Sequence, residues 1–258
     1  MAVRFARYDV RCPGDLWKGN NEFFWGKQVE AMGKRISHSL LDPWLGPPLK
    51  GLYSVLPIPR RFPPEGIILT GHLFAILAAV GFAYSTCLWW AGVLAAAGVL
   101  GNHTADCLDG THARSTGQCR NGGELLDHFT DPLSFSYWLV GISVSCARLD
   151  LGLVAVICLY ATAVLTNIKA KMIGEFTLAR FGPTEFKTLL AAYGIFMTGL
   201  VLFGTGNPGP EAWAVGCFKL LVVIGILQLL INLWIAVRDV NQTGAPPDTS
   251  EWITNRDR

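Results

Sequence analysis

Charge is scarce in this sequence. Only 16% of its 258 residues are Asp, Glu, Lys or Arg, against about a quarter in an average soluble domain, which argues against an ordinary water-facing surface. The seven cysteines form no CxxC pair and no zinc-type spacing, so neither a zinc finger nor a dithiol redox centre is indicated. Cys87, Cys146, Cys158 and Cys217 fall in apolar runs and read as small buried hydrophobes. No long apolar run occurs before residue 66, which is too late for a cleaved leader. The net charge of +2 says little as a total; its distribution says more.

What is abundant is apolar side chain, at 51% of residues with a mean hydropathy of +0.37. Residues 1–65 are mixed and carry ten Lys or Arg among Leu16, Trp17, Phe23, Phe24, Trp25, Ile36, Trp44 and Leu45. Basic and aromatic residues interleaved in this way predict an amphipathic segment lying on a membrane surface, with a small soluble cap as the alternative. Pro43, Pro47 and Pro48 are expected to break this segment, and Pro57–Pro64 reads as a stiff, basic hinge.

Six apolar stretches follow, near 66–86, 88–107, 123–146, 150–170, 186–204 and 212–237. Each approaches the roughly 20 residues needed to cross a bilayer. The second is interrupted at its end by Asn102, His103 and Asp106, and the third opens on acidic residues. The expected fold is an all-α integral membrane protein. It comprises an interfacial segment (1–65), a six-helix transmembrane domain (66–237) and a polar tail (238–258). With six alternating helices and residues 1–65 in the cytosol, 19 of the 21 Lys and Arg fall on the cytosolic side. Arg148 is the exception among loops, and Lys219 lies inside a span. That is the positive-inside pattern, with both termini facing the cytosol.

The chemistry concentrates between the second and third stretches. Asp106 and Asp109 stand i, i+3 on one helix, and Asp127 and Asp131 stand i, i+4 on the next. A turn through Gly117, Gln118, Asn121 and Gly122 predicts that the two helices are antiparallel neighbours with converging carboxylates. Four acids at membrane depth are costly unless they face a polar cavity and are neutralised. All-oxygen ligands suit a hard divalent cation, Mg²⁺ or Mn²⁺, and four carboxylates suffice for two ions. Gly110, Ala113 and Gly123 are small residues beside the acids that leave room for a ligand, and Arg114 suits a phosphate. An acid-lined channel or transporter is the non-enzymatic alternative, but it has no need of the adjacent Gly, Ala and Arg.

The pattern D-x2-D-G-x2-A-R-x8-G-x3-D-x3-D, filled at every position from Asp106 to Asp131, resembles the signature of the CDP-alcohol phosphotransferases. The resemblance implies six transmembrane helices and a two-metal site made by Asp106, Asp109, Asp127 and Asp131. It further implies a CDP pocket shaped by Gly110, Ala113, Arg114 and Gly123. Members transfer a substituted phosphate from a CDP-linked donor to an alcohol and release CMP. Where members often carry Pro-Asn before the first span, this chain has Pro64-Glu65.

The stretch Gly123-Glu124-Leu125-Leu126-Asp127-His128 resembles the choline and ethanolamine phosphotransferase branch, in which diacylglycerol is the acceptor. That resemblance implies that His128, with Glu124 one turn away, deprotonates the acceptor hydroxyl. Asp131 is the fallback base. The implied partners are a CDP- or CMP-linked headgroup donor, diacylglycerol and the bilayer, with no nucleic acid. Ethanolamine, choline and aminoethylphosphonate headgroups all fit, and Glu175 or Glu185 is a candidate to meet the amine. A CDP-diacylglycerol-dependent phosphatidyltransferase with a soluble acceptor is the alternative branch. The eukaryotic branch members carry additional helices, so a minimal version is expected here. Relatives are commonly homodimers, and Gly-rich spans permit close packing.

Overall fold

A helix running along one lipid-facing sequence stretch satisfies all its own backbone groups, so apolar runs fold as helices in a membrane. The computed structural model describes residues 35–178, 181–204 and 206–244, with 246 and 249. The chain runs β1 (Arg35–Ser37), α1 (Asp42–Gly51), α2 (Pro64–Ala83), α3 (Trp89–Thr116), α4 (Asn121–Ser145), α5 (Leu149–Ile173), β2 (Phe176–Leu178), α6 (Pro183–Phe203) and α7 (Pro210–Thr243). The six long helices coincide with the six apolar stretches. α2, α5, α6 and α7 are long and apolar enough to cross a membrane by length and composition. α3 and α4 have 28 and 25 residues but spend part of that length on the acidic motif. α3 therefore continues nine residues past the expected end of its apolar stretch. The sequence expectations for residues 1–34, for Arg180 and for most of the tail beyond residue 244, Arg256 and Arg258 included, lie outside the described residues.

Small residues set the packing. Between helices in lipid there is little hydrophobic drive, so close backbone approach supplies the contact energy. α2 and α3 meet along Ala75, Ala78, Ala91 and Ala95, all fully buried. At Gly98 a Cβ would lie 2.7 Å from the Ala78 nitrogen and the Phe74 carbonyl oxygen, so only glycine permits this crossing. Trp138 of α4 is buried in the same core and donates from Nε1 to the Ala75 carbonyl at 3.0 Å.

One expectation is corrected here. α3 and α4 are joined by a short turn, with Gly117 at φ +72° closing α3, but they scarcely touch each other. α2 packs against both, α6 packs against α3, and α4 leans on α5, which in turn packs on α7. The motif carboxylates converge on a cavity that α2 helps to wall, not on a face shared directly by α3 and α4.

A second correction concerns the prolines. Pro43, Pro47 and Pro48 do not break the segment. Pro43 occupies the first turn of α1, where its missing N–H is harmless, and the helix continues through Pro47 and Pro48. α1 is held by tertiary contact with α3 and by an anchor at its start. β1 pairs in parallel with β2, Arg35 to Phe176 through Ser37 to Leu178. Just beyond, the Glu185 carboxylate accepts hydrogen bonds from Ser39 Oγ (2.6 Å), Leu40 N (2.7 Å) and Leu41 N (3.2 Å), and from Gly182 N (2.9 Å) at the head of α6. Several large apolar side chains of this region face outward, Trp44 at 78% exposure with Leu40 and Val55 similarly bare, beside exposed Lys50, Arg60 and Arg61.

Candidate active site

All four motif carboxylates line one small polar cavity at the turn end of α3 and α4. Asp106, Asp109, Asp127 and Asp131 share it with His72, Asn102, Thr130 and Ser134. The i, i+3 and i, i+4 spacings put each pair on one helix face, and α2 supplies the wall between them through Ile68, Gly71 and His72. The cavity is about 10 Å³, room for roughly one water-sized occupant.

The donor set suits a hard cation. Asn102 lies one turn before Asp106 on the same face of α3. It is buried, and its Nδ2 donates to the Gly71 carbonyl at 3.1 Å. A carbonyl can only accept, so the amide orientation is fixed and Oδ1 is left over. That oxygen is buried and has no hydrogen-bond partner. Four carboxylates and an orphaned amide oxygen around a small cavity fit an oxygen-loving divalent ion. The carboxylates are not drawn into a finished cage, however. Among the described residues no group of three or more carboxylate, imidazole or thiol side chains is poised to hold an ion.

Two of the carboxylates are instead engaged by Lys187, which the sequence reading counted as a loop charge. It lies on the second turn of α6, two residues after Glu185 and therefore nearly opposite it on the helix. Glu185 reaches out to the N-terminal segment, and Lys187 reaches in. Its side chain is 1% exposed. Nζ donates to Asp106 Oδ2 at 2.8 Å and to Asp131 Oδ1 at 3.1 Å, and it lies 5.6 Å from the centroid of the Phe135 ring. Buried charges persist only when paired, and this ammonium ties α3, α4 and α6 together through two of the four acids. His103, also buried, stands with Nδ1 3.8 Å from Asp106 Oδ2.

A second, larger cavity of about 320 Å³ opens beside the first. Asp127, His128 and Asp131 form its polar end, Leu139, Leu159, Leu221 and Ile224 line its apolar length, and α4, α5, α7 and the start of α6 enclose it. His128 Nε2 lies 3.8 Å from Glu124 Oε1, as their i, i+4 spacing implies. Gly123 is an open position, whereas Gly110 lies under the Arg114 side chain. A Cβ at Gly110 would come 3.1 Å from the Arg114 guanidinium, and one at Gly123 only 3.9 Å from Glu65. Arg114 is exposed and Ala113 half-buried, and neither lines the two cavities. Glu65, in the position where an Asn was expected, pairs with Arg120 at 3.1 Å. The amine-binding candidates fare poorly. Glu175 is exposed and outside both cavities, and Glu185 is committed to its four hydrogen bonds.

His112 acts as a strut. His112 has Nε2 2.8 Å from the Phe62 carbonyl and Nδ1 2.9 Å from the Tyr53 hydroxyl. It fastens the segment before α2 to the motif helix. Lys187 and Asn102 are the site residues that sequence reasoning missed. Asn102 had a usable signal, its helical spacing from Asp106; Lys187 had none within its own segment.

Comparison with known proteins agrees with this arrangement. Residues 66–234 match the family model of CDP-alcohol phosphatidyltransferase. Cholinephosphotransferase 1 of Gallus gallus is 34% identical over 120 residues, covering 44% of this chain and 34% of that protein. The Homo sapiens protein of the same name is 34% identical over 113 residues, covering 41% and 28%. The matched stretch thus spans about a third or less of these curated relatives. The family match runs through all six long helices and both cavities, and the chain belongs to the CDP-alcohol phosphatidyltransferase family.

Proposed function

We propose that the protein transfers a substituted phosphate from a CDP- or CMP-linked headgroup donor to the hydroxyl of diacylglycerol, releasing CMP. The headgroup is ethanolamine-, choline- or aminoethylphosphonate-like. The observation that carries this reading is the position of His128. It lines an apolar cavity beside Asp127 and Asp131, with Glu124 one turn away. A base at the polar end of an apolar slot suits an acceptor whose hydroxyl is polar and whose body is lipid. The resemblance of the Gly123–His128 stretch and the names of the curated relatives point the same way.

Asp106, Asp109, Asp127 and Asp131, with Asn102 Oδ1, would hold Mg²⁺ or Mn²⁺, two ions when fully loaded. Bound there, such ions offset the charge of the pyrophosphate and of the departing CMP. The chain's own groups do the rest. Gly123, and Gly110 once the Arg114 guanidinium swings away from it, leave space for the donor against the helix backbones. Arg114, exposed and free to turn, meets a phosphate oxygen. His128 takes the proton of the acceptor hydroxyl as its oxygen bonds to the β-phosphorus of a CDP-linked donor. The bond from that phosphorus to the CMP oxygen breaks, and CMP leaves with the electron pair. α3 and α4 are read as spans like the other four long helices, with the site and both termini on the cytosolic side.

The cavity would equally receive the acyl chains of CDP-diacylglycerol, so a donor assay decides. Purified protein in detergent should release CMP from CDP-ethanolamine or CDP-choline in the presence of diacylglycerol. Turnover only with CDP-diacylglycerol and a soluble alcohol would move the protein to the other branch. No CMP from either donor would remove the transferase reading.

A further inference from the structure

We propose that the Lys187 ammonium occupies one of the two cation positions of the acidic site, and that a divalent ion entering between Asp106 and Asp131 must displace it. The inference rests on the metal reading above and extends it to a residue outside the family motif.

The space argument comes first. The cavity shared by the four carboxylates admits about one water-sized species. A second cation place exists between Asp106 and Asp131, and Nζ already fills it, at 2.8 and 3.1 Å from one oxygen of each. Those are the distances of charge-assisted hydrogen bonds. An ion cannot take the same oxygens while the ammonium remains, because +2 and +1 charges at that separation repel strongly in a partly dry site.

The charge argument agrees. Four carboxylates crowd this site, and among the described residues Lys187 is the ammonium that donates to two of them, Asp106 and Asp131, with His103 Nδ1 3.8 Å from Asp106. Without that ammonium, an unmetallated site would leave Asp106 and Asp131 buried side by side without their shared counter-charge, which disfavours the assembled state. Lys187 therefore keeps α3, α4 and α6 assembled before metal arrives. It stands at a boundary, since Asp131 and Phe135 also line the larger cavity. An ammonium released from Asp106 and Asp131 has that cavity's polar end to move into.

A placeholder and a ligand-positioning strut predict opposite results. If Lys187 merely aims Asp106 and Asp131 at the metal, its removal weakens metal binding. If it competes, removal strengthens binding. The test is Mn²⁺ titration of detergent-solubilised wild type, Lys187→Met, Lys187→Gln and Lys187→Arg, without donor or acceptor. Free Mn²⁺ is read by electron paramagnetic resonance, and melting temperature is read in EDTA and in Mn²⁺. The two neutral variants should bind Mn²⁺ roughly tenfold or more tightly than wild type. They should melt lower than wild type in EDTA and recover most of the difference in Mn²⁺. Lys187→Arg should stay near wild type. Equal or weaker Mn²⁺ binding by the neutral variants, with wild type binding normally, overturns the placeholder role while sparing the metal centre. Failure of the neutral variants to fold even when prepared in Mn²⁺ also overturns it, because a displaced residue cannot be indispensable to the loaded state. Absence of Mn²⁺ binding by the wild type removes the metal centre itself, and the inference with it.

Discussion

Replacing His128 by alanine separates the proposed base from the rest of the site. The imidazole sits at the polar end of the larger cavity, and it is partly exposed, so its loss should leave the fold intact. General-base assistance is worth about 10² to 10⁴ in rate, or roughly 3 to 5 kcal/mol of barrier. His128→Ala should therefore lower kcat by about that factor in a CMP-release assay, with the KM for the CDP-linked donor little changed. Glu124 should matter far less. Its carboxylate is 3.8 Å from the ring nitrogen, and both side chains are about a third exposed. A pair of that kind is worth about 0.2 to 1 kcal/mol, so Glu124→Gln should cost only about two- to fivefold. The double variant should fall no further than His128→Ala alone, because an orienting group is useless without the group it orients. Wild-type transfer by His128→Ala refutes the base assignment and leaves Asp131 as the better candidate. A Glu124→Gln loss as large as that of His128→Ala refutes the orienting role instead.

Excess EDTA should abolish turnover and Mg²⁺ or Mn²⁺ should restore it, and Asp109→Asn or Asp127→Asn should each be nearly inactive while keeping a wild-type elution profile. Full activity in EDTA contradicts the metal reading. Gly98→Leu should destabilise the α2–α3 contact by about 1 to 3 kcal/mol or more, because the atoms nearest the new Cβ are backbone; an unchanged melting temperature in detergent would show that the helices can part. Cysteine probes on a background lacking native cysteines should be labelled from outside intact cells at Gly209, before α7, and not at Gly122, before α4; the opposite pattern reverses the orientation. Glu185→Ala should remove the acceptor of four hydrogen bonds and release the N-terminal segment, at a cost of roughly 2 kcal/mol or more, seen as faster proteolysis ahead of α1.

Much of this molecule could be read from residue order because its main constraints are local. A helix must satisfy its own backbone in lipid, so hydropathy located all six long helices to within a few residues at most ends. The exceptions are instructive. The motif end of α3 was placed too early, because hydropathy falls where Asn102, Asp106 and Asp109 begin although the helix does not stop. The i, i+3 and i, i+4 spacings of the four aspartates and of Glu124 with His128 are likewise local, and all of these residues lie where spacing put them. The relation between α3 and α4 was misjudged because a short turn fixes proximity at one end only. Side chains from α2 decide what happens along the rest.

Lys187 marks the limit of that kind of reading. In sequence it is a single lysine near the start of an apolar helix, four residues after Pro183, where lysines commonly snorkel to the membrane surface. Counted that way it strengthened the positive-inside tally, and the four carboxylates were left to metal ions alone. Its actual partners lie 81 and 56 residues earlier in the chain, on helices whose meeting with α6 no local pattern encodes. One consideration at the level of sequence did point to such a residue. Four buried acids cannot wait for metal uncompensated, so some resident cation had to approach them before the ions did. Of the basic residues at that end of the described helices, Lys187 is the one whose position, one turn into α6 and opposite Glu185, turns it toward the acids. The packing of α6 on α3, with Gly194 against Gly92, and the anchoring of Glu185 on the opposite face are both consistent with the rotation that turns Lys187 inward.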